Sequence, residues 1–220
     1  MLTPAIPNSV PHQTNKFSIK KSTSTMSKSS YYRMLDGRKY FRYITIDPGT
    51  LDEEDLTFPP ALLQKLPAFL TGDWNCGRIA RAENGVPYFV ETTKQKLPSI
   101  NYIWHEKSFD YFSLQIKQRF SAKVYLATIP HPKNRDVVAK FARFPWEIEY
   151  YALGTRWYER IKGHGIGPEF LGYLTEDGRV IGFLMEKLDG RHATIEDLPA
   201  CLRRSCSEIT RARDCAWRFE

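Results

Sequence analysis

The chain has 220 residues, of which 42% are hydrophobic and 26% are charged, a balance that supports a packed core and excludes an entirely disordered protein. Its apolar runs are all shorter than the roughly 18 residues of a membrane span, so we expect no integral membrane protein. The net charge of +7 is concentrated in residues 1–30 and 201–220. Because nucleic-acid binders carry basic residues on a folded face, we expect neither DNA nor RNA as a partner.

Composition divides the chain into four segments. Residues 1–30 are rich in Ser, Thr and Pro and predict a disordered basic tail. We expect a β-rich extension over 31–109 and a compact unit over 110–202. Residues 203–220 lose amphipathic order, which favours a frameshift, a misread intron or a truncation over an authentic divergent end. The four cysteines lack zinc-site spacing, so no metal site is expected, and unpaired thiols fit the cytoplasm, with the nucleus as an alternative.

The first half of the folded region predicts a small β-rich layer with one short helix. Residues 40–46 alternate as a strand does, and a Pro-Gly pair closes the run. Leucines at helical spacing after Pro59-Pro60 predict a helix over 59–70. The Asn84-Gly85 turn predicts a strand around residues 88–90.

The second half predicts three strands, one long helix and a hairpin. The helix begins after Pro145 and ends at Gly163, and the hairpin turns at Asp177-Gly178. The predicted strands lie at 111–116, 123–129, 137–141, 170–175 and 180–184.

This β-β-β-α-β-β order resembles the small lobe of the protein-kinase fold. The resemblance implies an α+β fold class: a five-stranded antiparallel sheet plus one long helix, with a β-rich N-terminal extension and the large lobe missing. Several motifs are also similar to those of a fungal family of kinase-like proteins, some of which carry an α-galactosidase label. These motifs are residues 72–75 (GDWN), 97–98 (LP), 104–105 (WH), 139–144 (AKFARF), 146–148 (WEI), 167–172 (GPEFLG), 178–184 (GRVIGFL) and 195–198 (IEDL).

Lys140 ends the apolar strand 137–140, where a buried ammonium needs an anionic partner, either a carboxylate or a phosphate. The kinase resemblance implies that Lys140 contacts the phosphates of ATP and that Val124 covers the adenine ring. It further implies Met185 as the gatekeeper, with the carbonyl of Glu186 and the amide of Leu188 facing adenine. ATP is therefore the expected cofactor, and these five residues are the expected nucleotide site.

Three departures from the family pattern predict that the chain is not catalytic. The phosphate-covering loop has Lys117, Arg119 and Ala122 where glycines are expected. Gly154 stands where the family has the helix glutamate that pairs with the lysine. The His-Gly-Asp catalytic loop that relatives place after Leu198 is absent, and with it the residues that hold Mg²⁺.

Three functions follow as expectations. The leading one is a non-catalytic, truncated small lobe of an ATP-dependent phosphotransferase or pseudokinase. The alternative is a protein-interaction or regulatory module, whose partner docks on the long helix. An α-galactosidase is a remote third, because a glycosidase needs two opposed carboxylates and no pattern here nominates such a pair.

Overall fold

The computed structural model describes residues 29–37, 40–130 and 134–189. They fall into two compact units, the first ending at Lys96 and the second beginning at Leu97. The sequence placed this boundary near residue 109 instead. Predictions for the basic tail up to residue 28, for the IEDL motif and for residues 203–220 lie outside the described residues.

The first unit is built on a four-stranded sheet in the order β1-β2-β3-β4, in which β2 and β3 are parallel and the other pairs antiparallel. A parallel pair needs a crossover connection, and two short helices supply it between β2 and β3. The elements are β1 (Ser30–Asp36), β2 (Tyr40–Ile46), α1 (Glu53–Thr57), α2 (Pro59–Lys65), β3 (Cys76–Arg81) and β4 (Pro87–Thr93).

The core of this unit lies between the sheet and α2. Leu62 of α2 is fully buried against Ile44, Ile46 and Trp74. Helix α2 ends at Lys65, earlier than the predicted residue 70. The cause is Pro67, since the residue before a proline is pushed towards extended backbone, and Leu66 has φ −70° and ψ 143°.

The second unit is built on a six-stranded sheet in the order β5-β9-β10-β8-β7-β6. A short 3-10 helix, Pro145–Glu147, leads into α3 (Ile148–Ile161), which packs on β10. The strands are β5 (Ser108–Asp110), β6 (Gln115–Arg119), β7 (Val124–Ile129), β8 (Arg135–Phe141), β9 (Phe170–Glu176) and β10 (Arg179–Glu186).

The predicted fold class is wrong. The sequence predicted an α+β, kinase-like small lobe with a five-stranded antiparallel sheet and one long helix, whereas the described chain is mostly β-sheet, with mixed sheets of four and six strands and few helices. The sixth strand is β5, which pairs in parallel with β9. Its three residues are too few to show an alternating pattern. Gly172 makes the pairing possible, because a Cβ there would lie 2.8 Å from the carbonyl oxygen of Lys107.

Two local predictions in this unit have different outcomes. The strand predicted at 111–116 is instead a 3-10 turn followed by β6, because the Asp110 carboxylate accepts a hydrogen bond from the amide of Phe112 at 2.8 Å and caps the turn. The hairpin is present: Asp177 and Gly178 have φ 50° and 74°, the positive values that a tight two-residue turn requires. No helix among the described residues is long and apolar enough to cross a membrane.

Gly172 and Gly154 provide a matched test of the packing in this unit. We expect Gly172→Ala to lower the free energy of unfolding by about 1–3 kcal/mol, because its Cβ would push Lys107 away from β9. We expect Gly154→Ala to raise it by about 0.5–1 kcal/mol, since the added Cβ would meet Phe183 at an ordinary 3.5 Å and alanine favours a helix. Urea denaturation followed by circular dichroism measures both changes. A neutral Gly172→Ala would contradict the parallel β5–β9 pairing.

Candidate functional site

Strand β8 brings Lys140 and Val124 together on one face of the six-stranded sheet. In the sheet register, Lys140 lies directly opposite Val124 of β7 on one side and Phe183 of β10 on the other. Directly opposed residues point to the same face, so these three side chains form a row across the sheet. The row places an ammonium group between two apolar side chains.

A cleft of about 310 Å³ opens beside this row. One wall is the turn between β6 and β7, another is the sheet and the third is the first half of α3. The amides of Phe120 and Ser121 both donate to the carbonyl oxygen of Val124, at 2.9 and 3.1 Å, and thereby fix the turn. The lining residues are Ser121, Ala122, Lys123, Val124, Lys140, Tyr150 and Tyr151.

Lys140 carries the least compensated charge in the cleft. Its side chain is half-buried, and this burial lowers the pKa of its ammonium group below the usual value. No residue of the described chain forms an ion pair or a side-chain hydrogen bond with it. A cation held in partly dry surroundings is stabilised by an anion, so the site favours a negatively charged ligand.

The buried carboxylate at the start of α3 is used elsewhere. Glu147 accepts hydrogen bonds from the amides of Arg143 and Phe144, at 2.9 and 3.4 Å, and so caps the helix entry. Its other oxygen lies 3.4 Å from the ammonium of Lys123. Lys123 is thus partly neutralised, while Lys140 is not. Burial also raises the pKa of the Tyr151 hydroxyl, which therefore stays neutral in the cleft.

The helix position expected to hold a partner for Lys140 carries none. Gly154 faces the ring of Phe183, and a Cβ added there would lie 3.5 Å from it. The glycine that stands in place of the family's helix glutamate thus lies where α3 packs on β10, and it brings no charged group there.

The structure separates the five expected nucleotide residues into two groups. Val124 and Lys140 line the cleft, whereas Met185, Glu186 and Leu188 do not. The Met185 sulfur accepts a hydrogen bond from the hydroxyl of Tyr158 at 2.9 Å. The Glu186 amide donates to the carbonyl of Glu169 at 2.9 Å, and the Leu188 side chain is exposed.

Sequence reasoning missed Lys123, Tyr150 and Tyr151 as lining residues. The sequence pointed only weakly to Lys123 as a lining residue, through its position directly before Val124. The two tyrosines follow the helix start closely, but only the packing of α3 beside the β6–β7 turn brings them to the cleft. No cluster of side chains suited to a metal ion occurs within the described residues.

No family model, curated protein or solved structure matches the chain. The resemblance to a kinase-like family therefore stays an expectation drawn from the motifs.

Because the pKa of Lys140 is lowered, its charge should reduce the free energy of unfolding by an amount that depends on pH. Between that lowered pKa and the unfolded value of 10.5, the unfolded chain binds more protons, so stability rises with pH. We expect Lys140→Met to raise the free energy of unfolding at pH 7 by at most about 0.5–1 kcal/mol, because water still screens the half-exposed ammonium. The gain should shrink as the pH approaches 10.5.

Urea denaturation at pH 7 and pH 10 measures this difference. The matched control is Lys117→Met, because Lys117 is an exposed lysine that pairs with Asp136 at 2.6 Å, and its loss should bring no gain. Equal effects of the two substitutions at pH 7 would show that Lys140 does not carry an uncompensated charge.

Proposed function

We propose that the second unit binds a phosphate-bearing ligand with an aromatic base, ATP or another nucleotide, in the cleft beside Lys140. The observation that carries the proposal is the half-buried ammonium of Lys140, which has no anionic partner among the described residues. A phosphate would supply the missing charge, and hydrogen bonds between ionised groups are stronger than neutral ones.

The charges around the cleft favour an anion. Two lysines line it, and the carboxylate that approaches Lys123 also accepts two backbone amides, which spreads its charge over three donors. The lining is therefore positive overall. The hydroxyl of Ser121, which accepts the amide of Lys123 at 3.3 Å, adds a neutral donor to the same lining. Lysine ammonium groups commonly bind phosphate as compact point charges.

The apolar side of the cleft favours a base. Val124 offers a branched aliphatic surface, and the exposed ring of Tyr150 offers a face on which a planar base can stack. The cleft lies at the lower end of the volumes that bind small molecules. We therefore expect weak affinity, with a dissociation constant on the order of 1 mM, or about −4 kcal/mol.

The proposed activity is binding without phosphotransfer. A phosphotransferase holds Mg²⁺ with carboxylate and amide oxygens and orients the acceptor hydroxyl with an aspartate. The described residues that line the cleft contain neither carboxylates nor side-chain amides. Mg²⁺ should accordingly weaken ATP binding, because the ion masks the phosphate charge that Lys140 and Lys123 attract.

Isothermal titration or ligand-observed NMR with ATP in EDTA tests the proposal. We expect Lys140→Met to weaken binding at least about 10-fold, the effect of losing one charge-assisted contact. Lys162→Met should bind as the unchanged chain does, since Lys162 is an exposed lysine just past the end of α3 and does not line the cleft. Micromolar binding that survives Lys140→Met would place the ligand elsewhere.

The alternative, a protein-interaction module, is favoured by a separate observation. Helix α3 and the turn before it expose several large apolar side chains, one of which, Tyr150, also lines the cleft. This surface does not depend on the charge of Lys140.

A further inference from the structure

Four large apolar side chains are more than half exposed along α3 and the 3-10 turn before it. The three members in α3 lie at positions i, i+3 and i+7, which fall within an arc of about 60° at 3.6 residues per turn, and the fourth lies in the 3-10 turn just before the helix. We call this row the α3 stripe; its members and their exposed fractions are Trp146 (52%), Tyr150 (70%), Leu153 (55%) and Trp157 (53%).

The opposite side of α3 packs against the rest of the second unit. Ile148, Tyr151 and Thr155 are buried there. Single exposed apolar residues are ordinary, but a contiguous row rich in Trp and Tyr has the composition of a protein interface.

We propose that the α3 stripe is the contact surface of a symmetric homodimer, in which α3 of one copy packs antiparallel on α3 of a second copy. The stripe has its own centre between residues 151 and 152. A two-fold axis at that point would set Trp146 against Trp157 of the second copy, and Tyr150 against Leu153. A pair of tryptophans, one from each copy, would then lie at each end of the interface, so the surface is complementary to itself.

Charges beside the stripe fit the same arrangement. Glu149 and Arg156 are exposed and seven residues apart, so both lie on one side of the stripe, about 70–90° from its centre line. In an antiparallel two-fold pair, a given side faces the same side of the second copy. Glu149 then lies within about two residues, or roughly 3 Å along the axis, of Arg156 in the other copy. The symmetry makes this ion pair twice.

The area of the stripe is suited to a weak dimer. Aromatic side chains bury roughly 150–250 Å² each when fully covered, so the exposed parts of this row offer about 400–500 Å² per copy. Two copies approach the roughly 1,000 Å² of a specific interface once the flanking charged residues are added. We therefore expect a dissociation constant on the order of 10 µM.

Sedimentation velocity of the full chain over about 1–200 µM tests the dimer. Leu153→Asp, at the centre of the stripe and outside the cleft lining, should weaken association at least about 100-fold. Phe58→Asp is the matched control, because Phe58 is equally exposed but lies in the first unit. It should leave the association constant unchanged.

Charge reversal tests the orientation of the helices. Glu149→Arg and Arg156→Glu should each weaken the dimer about 10-fold, because each places like charges opposite one another. The double variant should return to within about 3-fold of the unchanged chain, since both ion pairs reform with reversed sign.

Three results would overturn the proposal. They are a chain that stays monomeric at 200 µM, a dimer that is insensitive to Leu153→Asp, and a double charge reversal that is no better than either single one. A monomer would leave the α3 stripe to a segment of this chain or to another protein. Tyr150 belongs both to the cleft lining and to the α3 stripe, so the two proposals are separated by variants of residues that belong to only one of them. Leu153 does not line the cleft, and Lys140 does not lie on the stripe.

Discussion

The charge of Lys140 is held in place by backbone pairing on both sides. Strand β8 lies between β7 and β10, and the register sets Val124 and Phe183 directly opposite the lysine. Burying the charge of Lys140 therefore lowers the free energy of unfolding. An anion bound in the cleft would offset that loss.

The helix entry and α3 explain why no carboxylate of the described residues neutralises this lysine. Glu147, a buried carboxylate at the helix entry, accepts hydrogen bonds from the amides of Arg143 and Phe144 and attracts Lys123. Moving it to Lys140 would leave two buried amides without acceptors, a penalty of about 1–3 kcal/mol each. Further along the helix, Gly154 supplies close packing on Phe183 rather than charge. The helix entry and the sheet contact thus both favour an unpaired Lys140.

The sequence predicted those parts of the fold that rest on local patterns. The Asp177-Gly178 hairpin has its own turn chemistry, and α3 follows from Pro145 and helical spacing. The fold class was wrong because β5 is only three residues long and pairs in parallel with a distant strand, an arrangement that depends on the absence of a side chain at Gly172. For the site, the kinase resemblance named five residues, of which Val124 and Lys140 line the same cleft and Met185, Glu186 and Leu188 do not. Tyr150 and Tyr151 needed the tertiary position of α3, which no local pattern encodes.

The pKa of the Lys140 ammonium, measured with and without ATP, tests the central claim most directly. It can be followed by NMR of chain labelled with ¹³C at lysine Cε, with the signal assigned through Lys140→Arg. The account predicts a pKa below 10.5 in the free chain, because burial disfavours the charge, and a rise when the phosphates of ATP supply a counter-charge. A Lys140 pKa that stays the same at saturating ATP would contradict it.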